Sequence, residues 1–209
     1  AGCHGMRLIS YRNLAALGYN QDELKAIASQ FEITDGPNDD GEFFTRPGRP
    51  SDKFASPYPN KKAAIAANGG AYPPDLSLII KARPNGANYL HALLSGYVEP
   101  PKNIKVPEGM YYNKFYSGNL IAMPQPLYED GIEYLDGTKA SPDQMAIDVT
   151  TFLAWASEPE LEERKQLGIT VVLFLIVFSI LSYFSMRQIW APIKNLSLIH
   201  ISEPTRHRG

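Results

Sequence analysis

One cysteine, Cys3, is all the thiol chemistry that this 209-residue sequence offers. An intrachain disulfide is therefore impossible, and a Cys-rich zinc site is excluded. Basic charge is also scarce. Before Arg164 there are 14 Lys and Arg against 21 Asp and Glu, and only the segment after Met186 is basic, with four Arg and Lys against one Glu. An acidic body suits a basic partner and argues against nucleic acid. No hydrolase, kinase or metal-ligand cluster stands out. The sequence opens without an initiator methionine or a leader, so it reads as a fragment in which no targeting sequence can be read. Finally, residues 167–186 carry no charge at all.

What is plentiful is proline and glycine, 17 and 16 residues. They predict short helices joined by long, turn-rich loops. In residues 5–18, Leu8, Leu14 and Leu17 can share a helical face. Asn20 and Glu23 form a capping-box pattern, followed by Leu24, Ile27, Ala28 and Phe31 at helical spacing. Residues 34–60 are broken by Asp-Gly-Pro, Arg-Pro-Gly and Ser-Pro-Tyr-Pro, so no long element fits there. Phe43, Phe44, Phe54 and Tyr58 favour a loop packed onto the body.

Short helices are predicted over residues 61–68, 78–83 and 88–95, closed by Gly69-Gly70, Pro84 and Gly96. His91, between Leu90 and Ala92, reads most simply as a packed or surface histidine. Residues 99–109 are loop-like. In Leu120-Ile121-Ala122-Met123-Pro124 the proline pushes Met123 onto extended backbone, which presents its thioether from a stiff loop. Taken alone, such a methionine is core gap-filler. Ser141-Pro142-Asp143-Gln144 starts a helix, with Met145, Val149, Phe152, Leu153 and Ala156 on one face and Glu158-Pro159 at its end.

The uncharged run of residues 167–186 would be about 30 Å long as a helix, the thickness of a bilayer core. Tyr183 and Trp190 lie towards its distal end, where interfacial aromatics gather. Arg164 and Lys165 on one side and Arg187 and Lys194 on the other give no charge bias to orient it. The competing reading is a fully buried core helix. Residues 198–209 fit nothing upstream and resemble a translated cloning adapter, so His200 and His207 are left out of any site.

Ala1-Gly2-Cys3-His4 matches the last four positions of C-x-x-C-H, the signature of c-type haem attachment, with the first cysteine falling before Ala1. A thiol adds to a haem vinyl group, and the adjacent imidazole can ligate the iron. Taken alone, a Cys-His pair at a chain end carries little weight.

The blocks Asp35-Gly36-Pro37-Asn38, Arg46-Pro47-Gly48, Pro57-Tyr58-Pro59-Asn60, Ala67-Asn68-Gly69, Pro73-Pro74-Asp75-Leu76-Ser77, Ala82-Arg83, Gly96-Tyr97, Glu99-Pro100-Pro101, Ala122-Met123-Pro124 and Phe152-Leu153-Ala154-Trp155-Ala156-Ser157-Glu158-Pro159 join Cys3-His4 in a combined pattern. In that combination the chain resembles the cytochrome c1 family, over residues 1 to about 196. The resemblance implies a mainly α chain: a class I cytochrome c-like haem domain with long Pro/Gly-rich loops (residues 1–163), one C-terminal transmembrane helix (164–190) and a short tail (191–209). It implies one covalent haem c per chain on Cys3, with His4 and Met123 as axial ligands. It further implies propionate or rim contacts from Asn68, Arg83 and Tyr89, and Pro73 and Pro74 against the ring. From the residues alone, Asn68 reads as a helix cap and Arg83 as a solvated helix end. Two readings of the absent first cysteine stand, a chain continuing upstream and a single-thioether site. The segment that precedes the motif in the family is absent too, so an incomplete haem pocket is expected of this chain alone.

By the same resemblance the chain is the redox subunit of ubiquinol–cytochrome c reductase, complex III. It would take electrons from the Rieske iron–sulfur protein and pass them to soluble cytochrome c. Cytochrome b and the other complex III subunits would be its further partners. The haem domain would face the intermembrane space from the mitochondrial inner membrane, with the C-terminus in the matrix. Asp35, Asp39, Asp40, Glu42, Glu129, Asp130, Glu133 and Asp136 could steer a basic cytochrome c; ordinary solvation is the simpler role for any one of them. Two alternatives are carried alongside: another membrane-anchored monohaem cytochrome, which does not account for the Pro-Pro-Asp-Leu-Ser and Trp-Ala-Ser-Glu-Pro blocks, and a haem-free, tail-anchored interaction module.

Overall fold

The computed structural model describes residues 2–201, with side chains described to residue 194. The chain divides after Pro159 into two units. The first contains a 3₁₀ helix (Tyr11–Leu17), α1 (Gln21–Ser29), β1 (Glu32–Asp35), β2 (Phe44–Pro47), α2 (Lys61–Ala67), α3 (Gly86–Ser95), β3 (Tyr111–Tyr112), β4 (Leu120–Ile121) and α4 (Pro142–Ser157). It is mainly helical, and long loops connect the short elements, as the proline and glycine content predicts.

Local chemistry sets the helix starts. The Asn20 carboxamide accepts from the N–H groups of Asp22 and Glu23, and Glu23 accepts the N–H of Asn20 in return. Ser141 caps α4 through the N–H of Gln144, with Pro142 at the first helical position, where its missing N–H has no cost. The predicted apolar faces are the buried ones. Leu24 and Ala28 are fully buried on α1, and Met145, Leu153 and Ala156 are buried on α4. One core joins Met6, Ile9, Ile79, Leu90, Leu153 and Ala156, with Leu76, Tyr89, Phe152 and Trp155 packed against it. It therefore unites the segment after Cys3-His4, the segment after Pro73-Pro74, α3 and α4. His91 faces α4, with Nε2 3.0 Å from Asp143 Oδ1.

Four expectations need correction. Residues 34–60 are not all loop: Phe44–Pro47 pairs antiparallel with Glu32–Asp35, in the register Glu32↔Pro47 and Asp35↔Phe44. Pro47 sits at the end of an edge strand, where its missing donor costs nothing. Phe43 and Phe44 are exposed, while Phe54 and Tyr58 pack inward as expected. The stretch before Pro84 is a series of turns, with the N–H groups of both Lys81 and Ala82 meeting the Leu78 carbonyl, rather than a helix; six residues before a proline are too few to propagate one. Of the three leucines expected to share a face in the N-terminal segment, only Leu14 is buried; Leu8 precedes the 3₁₀ helix, and Leu17 is its last residue.

The β1–β2 pair is locked by Arg46. Its guanidinium donates to the Asp35 and Asp52 carboxylates, and Asp52 also accepts the N–H of Arg49. The Arg46 hydrogen bonds hold both carboxyls below the usual range, with the neighbouring N–H groups adding to the effect. Asp35, though partly exposed, is thus paired with Arg46, and Glu129 is likewise paired, with Lys139. Gly48 follows β2 and has no room for a side chain, since a Cβ there would come 2.5 Å from the Ala28 carbonyl oxygen.

A carboxyl whose pKa is lowered by folding contributes stability above its unfolded value, near 4, and loses it as pH falls through the folded value. The melting temperature of the soluble unit should therefore begin to fall below about pH 4. Asp52→Asn should show a shallower acid slope and a lower plateau at neutral pH, as measured by circular dichroism melts across pH.

The second unit is α5 (Leu161–Ile201). Within its Leu161–Lys194 part an 18-residue window reaches a mean hydropathy of 2.5, and this part is long and apolar enough to cross a membrane. None of that apolar window is buried within the chain, so α5 is not a core helix of this chain. Residues 202–209, and with them His207 and most of the adapter-like tail, lie outside the described residues.

Candidate functional site

The N-terminal segment is pinned along the Pro-Pro-Asp-Leu-Ser block, 70 residues away in sequence. His4 Nδ1 lies 2.8 Å from the Pro74 carbonyl oxygen. The Leu76 N–H donates to the Gly5 carbonyl, the Arg7 N–H to Asp75, and the Leu8 N–H to the Ser77 hydroxyl. Asp75 also accepts the N–H of Ser77 and the Arg7 side chain. Burial opposes ionisation of Asp75, but these hydrogen bonds outweigh it and hold its carboxyl below the usual range. Ser77 is fully buried. The stretch from His4 to Leu8 is thus held by the Pro74 carbonyl and by the Asp75 and Ser77 side chains, which follow the stiffened backbone of Pro73 and Pro74.

The His4 contact has a chemical consequence. A carbonyl oxygen can only accept, so Nδ1 carries the proton and donates it. In the neutral tautomer that this contact selects, Nε2 carries the lone pair, and the ring is oriented by a carbonyl in the manner of ligating histidines. Beside it, Cys3 is exposed and unpaired. An accessible thiol next to an oriented imidazole is a donor set that fits a covalent haem.

The other candidates fall into two groups. Tyr89 is half-buried against the shared core, close in the chain to buried Leu90. Asn68 stands at the C-terminus of α2, and its Nδ2 donates to the Ala64 carbonyl and the Tyr58 hydroxyl, so its donors close the helix. Arg83 is exposed, and its Nη1 donates to the Ala82 carbonyl. Pro73 is half-buried and Pro74 exposed.

Met123 is half-buried, at a bend just after β4 and not on extended strand. Its link to the body is the Tyr97 hydroxyl, which donates to the Met123 carbonyl at 3.0 Å. Burial, with the nearby Tyr128, pushes the Tyr97 phenol up to about 12, so it stays protonated and a donor. Sequence reasoning missed Tyr97 and the fully buried Asn113 beside it. Tyr97 follows the helix-closing Gly96, but nothing local signals what its hydroxyl reaches.

The chain belongs to the Cytochrome C1 family, whose profile matches residues 1–193. It is 50% identical over 199 residues to "Cytochrome c1 1, heme protein, mitochondrial" of Arabidopsis thaliana, covering 95% of this chain and 65% of that one. It is 48% identical over 209 residues to the cytochrome c1 of Rhodospirillum rubrum, covering 92% of this chain and 77% of the relative. It is 47% identical over 196 residues to a "Cytochrome b-c1 complex catalytic subunit, mitochondrial" of Candida albicans, covering 93% and 68%. The chain therefore spans about two thirds of the length of these eukaryotic relatives.

Proposed function

We propose that this chain is the electron-transfer subunit of ubiquinol–cytochrome c reductase, carrying one covalent haem c. In this reading it accepts electrons from the Rieske iron–sulfur protein and delivers them to soluble cytochrome c. The observation that carries the proposal is the His4–Pro74 contact, which leaves the second imidazole nitrogen free beside an open thiol.

The haem, when bound, supplies a one-electron Fe(III)/Fe(II) couple. The protein supplies the rest. Cys3 would make the attachment permanent, and His4 and Met123 would hold the iron. Held by an imidazole and a thioether, the group would supply electron transfer without bond chemistry. A soft, neutral sulfur favours Fe(II) and raises the potential relative to a second histidine. Tyr89 suits a rim or propionate contact through its phenol, and Pro73 and Pro74 suit the ring face. Arg83 keeps further guanidinium donors for a propionate beyond the one given to the Ala82 carbonyl, whereas Asn68 would have to release the Ala64 carbonyl or the Tyr58 hydroxyl.

Residues 1–163 form the class I cytochrome c-like domain, 164–190 the membrane anchor and 191–209 the tail. The anchor holds the domain at the intermembrane-space face of the mitochondrial inner membrane, against cytochrome b and the other complex III subunits, with the C-terminus in the matrix. Membership of the family and the exposed, membrane-length α5 support this arrangement.

The test is the absorbance spectrum of the chain purified from membranes. A reducible c-type spectrum that survives acid–acetone extraction is expected, because a thioether bond is not broken by the solvent. Haem lost to the solvent, or no haem at all, overturns the covalent assignment and favours the interaction-module alternative. Failure to co-purify with cytochrome b and the Rieske protein would instead favour a membrane-anchored cytochrome of another chain.

A further inference from the structure

We propose that Tyr97 is a positioning residue for the Met123 ligand, holding the thioether at the iron through the Met123 backbone carbonyl; this rests on the reading of Met123 as an axial ligand.

Met123 leaves a ladder that is too short to hold itself. β3 and β4 pair through two positions only, Tyr111↔Ile121 and Tyr112↔Leu120. An isolated two-strand hairpin is marginal even at greater length. What fixes this one is the C-terminal end of α3. Asn113, fully buried, donates from Nδ2 to the Leu93 carbonyl, while its Oδ1 accepts the N–H groups of Phe115 and Tyr116. Its own N–H donates to the Asn119 carbonyl, and the Lys114 N–H donates to the Gly96 carbonyl. The base of the hairpin thus hangs from the last turn of α3.

Tyr97 closes the figure. Its backbone bridges to Asn113 at the base, and its hydroxyl reaches across to the Met123 carbonyl on the outgoing arm. Tyr97 therefore touches both ends of the segment whose drift would carry the sulfur away. Without the hydroxyl, the base remains anchored by Asn113, and the arm bearing Met123 keeps the two-residue ladder, the Asn119 bonds and the buried Ile121, all of which lie before Met123. The role is backbone positioning: Tyr97 meets the Met123 carbonyl, and the thioether is left to the metal.

The test uses the haem-loaded full chain in detergent, comparing the parent with Tyr97→Phe and Tyr134→Phe. The second variant also deletes a hydroxyl hydrogen bond, here from Tyr134 to Asp148. Two readings specific to the sulfur are taken: the temperature at which the red charge-transfer band of methionine-ligated ferric haem bleaches, and carbon monoxide binding by the ferrous form. Tyr97→Phe should bleach at lower temperature and bind carbon monoxide roughly two- to tenfold more readily, the factor that one net hydrogen bond supplies. Tyr134→Phe should change neither. A Tyr97→Phe protein indistinguishable from the parent overturns the proposal. An equal response from both variants overturns it as well, because it would mark general loosening. Met123→Leu, measured alongside, separates this from the ligand assignment. If the band persists in Met123→Leu, the sulfur was never on the iron, and the failure lies with that assignment.

Discussion

Met123→Leu should lower the reduction potential by roughly 0.1–0.3 V, a fraction of the ~0.8 V range that axial ligands span, and should open the ferrous iron to carbon monoxide. Leucine has almost the volume of methionine, so the substitution costs less than about 1.5 kcal/mol of packing and the fold should survive it. What it removes is the lone pair. With no thioether to favour Fe(II), the couple moves down, and the sixth position becomes available to a small neutral ligand. Redox titration and the carbon monoxide difference spectrum measure the two effects on the same sample. An unchanged potential together with no carbon monoxide binding would show that another residue ligates the iron.

Gly96→Ala should be the most damaging single methyl in the soluble unit for ligation. A Cβ at Gly96 would meet the Ala92 carbonyl oxygen at 2.7 Å, Asn113 Oδ1 at 2.7 Å and Phe115 Cδ2 at 2.8 Å. One of these is backbone of α3 and another is the buried amide on which the β3–β4 hairpin hangs, so relief must come from moving the hairpin or unwinding the helix end. Overpacking of this kind costs about 1–3 kcal/mol, which corresponds to a fall in melting temperature of roughly 3–10 °C for a unit of this size. Because the displaced segment leads to Met123, the methionine charge-transfer band should weaken well below the melting temperature. If the protein melts early with the band intact up to the melt, then the hairpin and the ligand are not coupled in this way. The φ of Gly96 is −89°, so the cost is one of space and not of backbone conformation.

These two expectations draw on different levels of the molecule. That residues 21–29 and 142–157 form helices follows from Asn20, Glu23, Ser141 and Pro142, because capping is chemistry between residues three apart. The buried faces of α1 and α4 follow from 3.6-residue periodicity. The membrane-length helix follows from twenty uncharged positions in a row. Membership of the family was legible from the motif blocks read together, and it is what singles out Cys3, His4 and Met123 as candidates.

The errors arose where distant partners decide the outcome. Phe44–Pro47 is a strand because Glu32–Asp35 lies beside it and Arg46 bridges to Asp35 and Asp52; neither partner is visible from within a proline-broken segment. What the Asn68 amide reaches is set in the same way: it closes α2, as the residues alone suggest, but the Tyr58 hydroxyl comes within reach only through the fold.

The sequence by itself determined the local matters: which segments coil, which face of each is apolar, which run is long enough for a bilayer, and that one thiol stands next to one imidazole. Only the tertiary structure decided which imidazole nitrogen is free and what holds the Met123 segment. The His4 proton is set by a carbonyl 70 residues away, and the Met123 backbone by a hydroxyl 26 residues back. Hydrogen bonds act over about 3 Å of space, and nothing in the order of residues says which distant atoms folding will bring that close.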